Sequence, residues 1–187
     1  AETPCVSLSR AGGWVFVVDD FSAGQVRAGR LMTTIYTQRA DVHIRWMIRR
    51  DMDSVQAIED SSHEYPWPED EFIRCLRQRN CIGMTAIIGE KIVGYVIYEL
   101  HRQRLELLNF TVHADHRRAF VGSSMVAKLY GKLSSQRRTH ILARVRETNL
   151  GAQLFFKACG FRCVGLLREQ FSETKEDAYV FRLMHGG

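Results

Sequence analysis

A chain of 187 residues with 45% hydrophobic side chains can bury one sizeable core, and its apolar runs are spread along the length rather than split in two. The net charge of +5 suits an anionic partner, yet the basic residues fall in short pairs (Arg49-Arg50, Arg117-Arg118, Arg137-Arg138) among many acids, which argues against direct nucleic acid binding. No apolar run approaches the ~18 residues of a membrane span, and the N-terminal residues lack the basic-then-apolar layout of a signal peptide. Cys5, Cys75, Cys81, Cys159 and Cys163 form neither a CxxC pair nor a zinc spacing, and the histidines show no metal spacing. The expectation is a cytoplasmic protein with reduced thiols and no metal, a monomer or homodimer.

Residues 1–42 read as an N-terminal extension of open role. Their apolar run, WVFVV at 14–18, either adds a strand or packs against the adjoining domain. From residue 43 the periodicity sharpens. HIRWMIRR alternates as a strand does, and DMDSVQAIED then spaces Met52, Val55 and Ile58 on one helical face behind an aspartate cap. YPWPEDEFIRCLRQ sets Pro68 near a first turn, follows it with Glu69, Asp70 and Glu71, and places Phe72 and Leu76 four apart, which predicts a second helix. CIGMTAIIGEKIVGYVIYEL is two apolar runs joined at Gly89-Glu90, a hairpin signal, and RLELLNFTVH is a further strand. Val121, Met125, Leu129 and Leu133, with Val126 and Tyr130 beside them, make a long amphipathic helix. HILARVRE is a strand, and Asn149 caps a short helix that Gly160 stops, with Cys159 and Cys163 as small apolar fillers near its end. Two last strands fall near 161–170 and 176–184.

Three stretches stand out within that order: SSHEYPWPEDEF between the first two helices, LLNFTVHADHRRAFVGSSM after the fourth strand, and VRETNLGAQLFFKACGF with the later KEDAYVFRLM. Together they resemble the GCN5-related N-acetyltransferase (GNAT) superfamily over residues 43–184, and within it the ribosomal-protein-alanine N-acetyltransferase (RimI-type) branch. The resemblance implies an α/β (α+β) domain over 43–187. Its mixed, mostly antiparallel central sheet would have about seven strands, flanked by about four helices and splayed between the domain's fourth and fifth strands.

It also implies acetyl-CoA as the cofactor. The superfamily loop, Gln/Arg-x-x-Gly-x-Gly/Ala, maps onto Arg117, Arg118, Ala119, Phe120, Val121 and Gly122, with Ser123 next in the helix. In such a turn backbone N–H groups converge on a diphosphate while the helix N-terminus adds partial positive charge. Phe120 stands where a glycine is expected, so cofactor affinity should be weaker than glycine would give. Taken alone, the same residues would be a solvated arginine pair and an ordinary helix-start glycine. Phe110, Thr111 and Val112 match the strand segment whose backbone pairs with the pantetheine arm. Asn149 resembles a cofactor-contacting asparagine, although capping alone would also explain it.

Acetyl transfer to an amine needs a neutral amine, a polarised thioester carbonyl and a proton for the leaving thiolate. The branch's positions for a glutamate base and a tyrosine acid hold Arg144 and Phe156, which leaves Phe156 as an apolar cofactor contact. A guanidinium ~5 Å from an incoming ammonium costs about 3 kcal/mol at an effective dielectric near 20. The site then favours a neutral amine or an acidic substrate, unless Arg144 turns away to pair with an acid. Glu106 falls, by register, where the histone lysine acetyltransferase branch keeps its base, and is otherwise an exposed strand acid. An α-amine of pKa ~8 is already about a tenth neutral at pH 7 and so asks least of such a site. Tyr65, Pro66 and Trp67, with Phe171, resemble the walls over the acceptor groove, though aromatics at a helix join also suit a core.

The expected function is an acetyl-CoA-dependent N-acetyltransferase acting by direct attack of a primary amine, foremost a protein N-terminal α-amine such as that of a ribosomal protein. Two rivals stand beside it. One is a small-molecule amine acetyltransferase; the other is a non-catalytic acyl-CoA-binding or interaction module, motivated by Phe120, Arg144 and Phe156 together.

Overall fold

The computed structural model describes residues 16–17, 42–171 and 173–186. The strands are β1 (Phe16–Val17), β2 (Val42–Trp46), β3 (Cys81–Ile88), β4 (Lys91–Leu100), β5 (Arg104–Val112), β6 (His140–Arg146), β7 (Arg162–Phe171) and β8 (Glu176–Met184). The helices are α1 (Met52–Ser62), α2 (Glu69–Leu76), α3 (Val121–Tyr130) and α4 (Leu150–Ala158). The order matches the sequence expectation from residue 43 onward. Of the N-terminal extension only Phe16–Val17 is described, so the rest of WVFVV, Cys5 and the role of residues 1–41 lie outside the described residues.

The sheet runs β2-β3-β4-β5-β6-β8-β7, antiparallel along this path except for the parallel pair β5–β6, which α3 connects, and β1 pairs with β5 off the path. One face packs α3 and α4 through Val121, Met125, Leu129, Ala152 and Phe156 against Leu105, Leu107, Phe110 and Val112 of β5. The other packs α1 and α2 through Val55, Ile58, Phe72 and Cys75 against Tyr95, Ile97 and Leu108. Helical spacing of apolar residues thus covers both faces of the sheet, although β5 and β6 carry polar residues on the α1–α2 side.

Local details depart from the periodicity. The HIRWMIRR strand stops at Trp46, and Arg49–Asp51 forms a 3-10 turn. Asp51 precedes α1 but its carboxylate does not cap that helix: both oxygens accept from Arg45, at 2.6 and 2.8 Å, and the Ile48 N–H donates to it at 2.9 Å. The Arg45 guanidinium, ahead of the opposing effect of burial, holds the Asp51 carboxyl below its usual range. The long helix ends at Tyr130, with Leu133 buried beyond it. Cys163 is exposed on β7 rather than filling space at the helix end.

Two features shape the middle of the sheet. Parallel pairing of β5 with β6 runs from Arg104↔His140 to Leu107↔Ala143, after which both strands continue with no further pairing recorded between them. At the same level a β-bulge sets Tyr98 against Leu107 but Ile97 against Asn109, so Leu108 is the extra residue and lies on the same face as Asn109. A bulge bends its strand and raises its twist. The edge of β5 that faces β6 is thereby released, and Phe16–Val17 pairs with it in parallel, at Phe110 and Thr111.

Gly94 lies opposite Val112, and a Cβ built there would stand 2.8 Å from the Thr111 carbonyl oxygen. Gly94→Ala must therefore push this segment of β5. The variant is expected to lose about 1–3 kcal/mol of stability, read from urea unfolding.

Candidate active site

After β5 the chain makes a 3-10 turn, Ala114–His116, and a tight loop into α3. Arg118 (φ 57°) and Phe120 (φ 61°) are both left-handed, and Phe120 takes the N-cap position of α3. This is backbone that glycine adopts freely and a residue with a Cβ adopts at a cost of roughly 1–2 kcal/mol. The loop therefore holds phenylalanine in a conformation that glycine would adopt without that cost. Helix geometry leaves the N–H groups of Val121, Gly122 and Ser123 without intrahelical acceptors, at the positive end of the helix dipole. Arg117 is committed to the strand, its Nε donating to the Val112 carbonyl at 3.2 Å, whereas Arg118 is exposed. Phe120 is 36% exposed as a residue.

Beyond Leu107/Ala143 the separating strands form a wedge whose walls are Phe110, Thr111 and Val112 on one side and Arg144 to Arg146 on the other. Their side chains sort by face. Phe110, Val112, Ala143 and Val145 enter the core under α3 and α4, where Phe156 is fully buried against the rings of Phe110, Phe155, Phe161 and Phe181. Glu106, Asn109 and Thr111 of β5 face the other way, as do Arg144 and Arg146 of β6; there Asn109 meets Glu59, Thr111 meets His63 and Arg146 meets Tyr65. Asn149 caps α4, its Oδ1 accepting from the Ala152 N–H at 3.0 Å.

At the apex of the wedge Arg144 pairs with Glu106. The Glu106 carboxylate is buried and also meets Arg104 at 3.1 Å and His101 at 3.4 Å, while the Arg144 side chain keeps 29% of its surface exposed. Arg144 therefore takes the acid-paired of its two expected placements, and its partner is the residue expected to act as base.

The acceptor-wall residues separate. Tyr65 is 38% exposed and Pro66 is exposed, but Trp67 is buried in the core beneath α1 and α2 against Phe72, and so forms no groove surface. Phe171, fully buried at the end of β7, meets Tyr65 through a residue the sequence reading passed over. Arg146 lies with its guanidinium carbon 3.9 Å from the Phe171 ring centre and 5.6 Å from that of Tyr65. It pairs with Glu176 and donates to Thr174 at 2.8 Å. Burial pushes the Glu176 carboxyl up, but hydrogen bonds from Thr148, Thr174 and Arg146 outweigh it and hold the group below its usual range. The signal for Arg146 was in HILARVRE, whose alternation puts Leu142, Arg144 and Arg146 on one face.

A second missed group fastens the loop to the sheet. The buried Glu59 of α1 accepts from the Trp67 N–H at 2.8 Å, from Asn109 Nδ2 at 3.1 Å and from the Tyr95 hydroxyl. His63 Nε2 lies 3.0 Å from Glu59 and 2.7 Å from the Thr111 hydroxyl. Burial pushes the Tyr95 hydroxyl well up, so it stays a donor. Among the described residues no group of three His, Cys, Asp or Glu could hold a metal ion, and no helix is long and apolar enough to cross a membrane.

Substituting Phe120→Gly keeps the left-handed turn and removes the ring from its mouth. Its dissociation constant for acetyl-CoA, measured by calorimetry, is expected to fall several-fold below that of the unaltered chain with no drop in Tm.

The acetyltransferase (GNAT) family profile matches residues 51–161. A Bacillus subtilis (strain 168) protein, provisionally named a ribosomal protein bS18-alanine N-acetyltransferase, is 22% identical over 138 residues, which are 73% of this chain and 91% of that protein. The crystal structure of the ribosomal-protein-S18-alanine N-acetyltransferase from Escherichia coli superposes with a TM-score of 0.69 at 20% identity, covering 78% of this chain and 95% of that one. Arabidopsis thaliana NAA60 in complex with acetyl-CoA superposes with a TM-score of 0.68 at 15% identity, covering 76% and 99%. At these identities the superpositions speak for the fold. The family match extends over more than half of the chain and takes in the left-handed loop, the wedge and Arg144; the chain belongs to the acetyltransferase (GNAT) family.

Proposed function

We propose that this N-acetyltransferase takes acetyl from acetyl-CoA and delivers it by direct attack of a protein N-terminal α-amine, with the alanine of a ribosomal protein as the first candidate. The single observation carrying the reading is the wedge between β5 and β6, with an anion-cradling loop at its rim and a polar face toward the α1–α2 loop. The names of the Bacillus subtilis and Escherichia coli relatives favour this acceptor.

The residues present fit the cofactor. Arg118 and the first amides of α3 suit its diphosphate, and the β5 edge at Phe110–Val112 suits its amide-bearing arm. That same edge carries Phe16–Val17, so arm and strand compete for one set of main-chain groups. When bound, the thioester supplies an activated acetyl group. β5 amides beyond Leu107 would polarise its carbonyl, and the amine would enter from the face that carries Arg144.

The Glu106 counter-charge removes most of the repulsion that an isolated Arg144 would exert on an ammonium. The attacking amine loses one proton and the departing thiolate gains one. Phe156, locked in the core, contributes neither, and Glu106 is the proposed carrier.

Incubation with acetyl-CoA and a panel of alanine-starting peptides, lysine side-chain peptides and polyamines, followed by free-thiol release, is expected to give turnover on the N-terminal peptides. Preferential turnover on polyamines supports the small-amine rival, and cofactor binding without thiol release on any acceptor supports the binding module. Glu106→Gln is expected to lower kcat/KM by about 100-fold or more. Arg144→Gln, which removes one cationic partner of the carboxylate and leaves Arg104 beside it, should stay within about tenfold of the unaltered enzyme by the same general-base argument.

A further inference from the structure

We infer that the Nε–Nη2 edge of Arg146 is a recognition element for the acceptor, taking a backbone carbonyl within the first two residues of the peptide whose amine is acetylated. This rests on the N-terminal acceptor proposed above and names the group that would tell a peptide from a simple amine.

A guanidinium carries five N–H donors. At Arg146 the Nη1 donors are occupied by Thr174 and Glu176. Nε and Nη2 are buried and have no hydrogen-bond partner among the described residues, on a side chain only 5% exposed. Nε–H and one Nη2–H form the side edge of the guanidinium, two parallel donors that match the lone pairs of a carbonyl or carboxylate oxygen. Buried donors left without an acceptor are uncommon in folded proteins and call for an explanation. The faces of Phe171 and Tyr65 hold the charge but offer no lone pair.

Charge and spacing select the acceptor group. Glu176 already neutralises Arg146, so the free edge suits a neutral carbonyl better than a second carboxylate. Arg146 and Arg144 are two residues apart on one strand face, a separation of roughly 7 Å, and an extended peptide advances ~3.4 Å per residue. An amine placed beside Arg144 thus carries its first or second carbonyl to Arg146. Of the two rings over the guanidinium, Phe171 is fully buried, whereas Tyr65 is 38% exposed on a loop and is the one that can yield. A polyamine has no group for this edge.

The test uses the full-length, 15N-labelled protein with coenzyme A. The Arg146 Nε–H resonance, assigned through its contacts with Phe171, is followed during titration with an alanine-starting tetrapeptide and, separately, with an alkylamine of equal length. The expected result is a saturable shift with the peptide and none with the alkylamine; no shift with the peptide, or equal shifts with both, overturns the inference. In kinetics, Arg146→Lys keeps the charge and loses the fork. It should reduce the preference for peptide over alkylamine in kcat/KM about 10- to 100-fold, mainly through the peptide KM. An unchanged preference, with both acceptors slowed alike, assigns Arg146 to holding Tyr65 and Phe171 together and overturns the inference. Should Arg146→Lys fail to fold, the titration of the unaltered chain still decides. A peptide-specific shift without peptide turnover retains the recognition edge and removes N-terminal acetylation instead.

Discussion

Four residues of parallel pairing, Arg104 to Leu107 on His140 to Ala143, hold β5 to β6, and what the chain presents to substrates depends on their separation beyond that point. A sheet would ordinarily use every main-chain donor and acceptor of its central strands. Here one edge of β5 is withheld from β6 in the middle of the molecule, flanked by a hydrophobic core on one face and a hydrogen-bonded network on the other. The packing of Phe110 and Val112 against α3 and α4 keeps the strand in place although part of its edge is not paired with β6. The Glu59, Tyr95, Asn109 and Thr111 network ties the opposite face to the α1–α2 loop. Each wall of the wedge is also held by a ladder on its outer edge, β5 on β4 as far as Val112 and β6 on β8 as far as Arg146.

The polar face of the wedge carries two arginines, each matched to a carboxylate from another strand: Arg144 to Glu106 and Arg146 to Glu176. The result is a surface dense in donors with little net charge. An isolated guanidinium there would repel an ammonium and attract anions indiscriminately. Paired, it keeps direction and loses reach, because the field of an ion pair falls off faster than that of one charge. Directional, short-range donors suit the acceptor proposed above, an amine that carries a peptide chain to be oriented.

Much of the fold was legible in the sequence because it rests on periodicity. The spacing of Val121, Met125 and Leu129 on α3, and the glycine turn at Gly89, with φ 61°, depend on local chemistry that a one-dimensional reading captures. The site was legible only where it, too, was local. The loop at Arg117 to Gly122 stood out through a six-residue pattern, but its left-handed turns were not legible, because they fall on Arg118 and Phe120 rather than on glycine. The Arg144–Glu106 pair joins strands 38 positions apart, and only register brings it together. Trp67 could not be assigned to core or groove, since the aromatic run Tyr65-Pro66-Trp67 turns over between its first and last members, one outward and one inward. Asp51 was misread because an acid before a helix satisfies two rules, capping and ion pairing, and the nearby Arg45 decided between them.

Leu108 is the residue at which β5 stops obeying its own alternation, with Leu107 on one face and Leu108 and Asn109 both on the other. Removing that one residue would leave Phe110, Thr111 and Val112 on the faces they already occupy, yet it would straighten the strand and invite β6 to zip up alongside it. The shortened chain would make the more regular sheet while closing the opening proposed above as the place of acetyl transfer. The irregularity thus costs the sheet regularity and gives it the opening on which the proposed function depends.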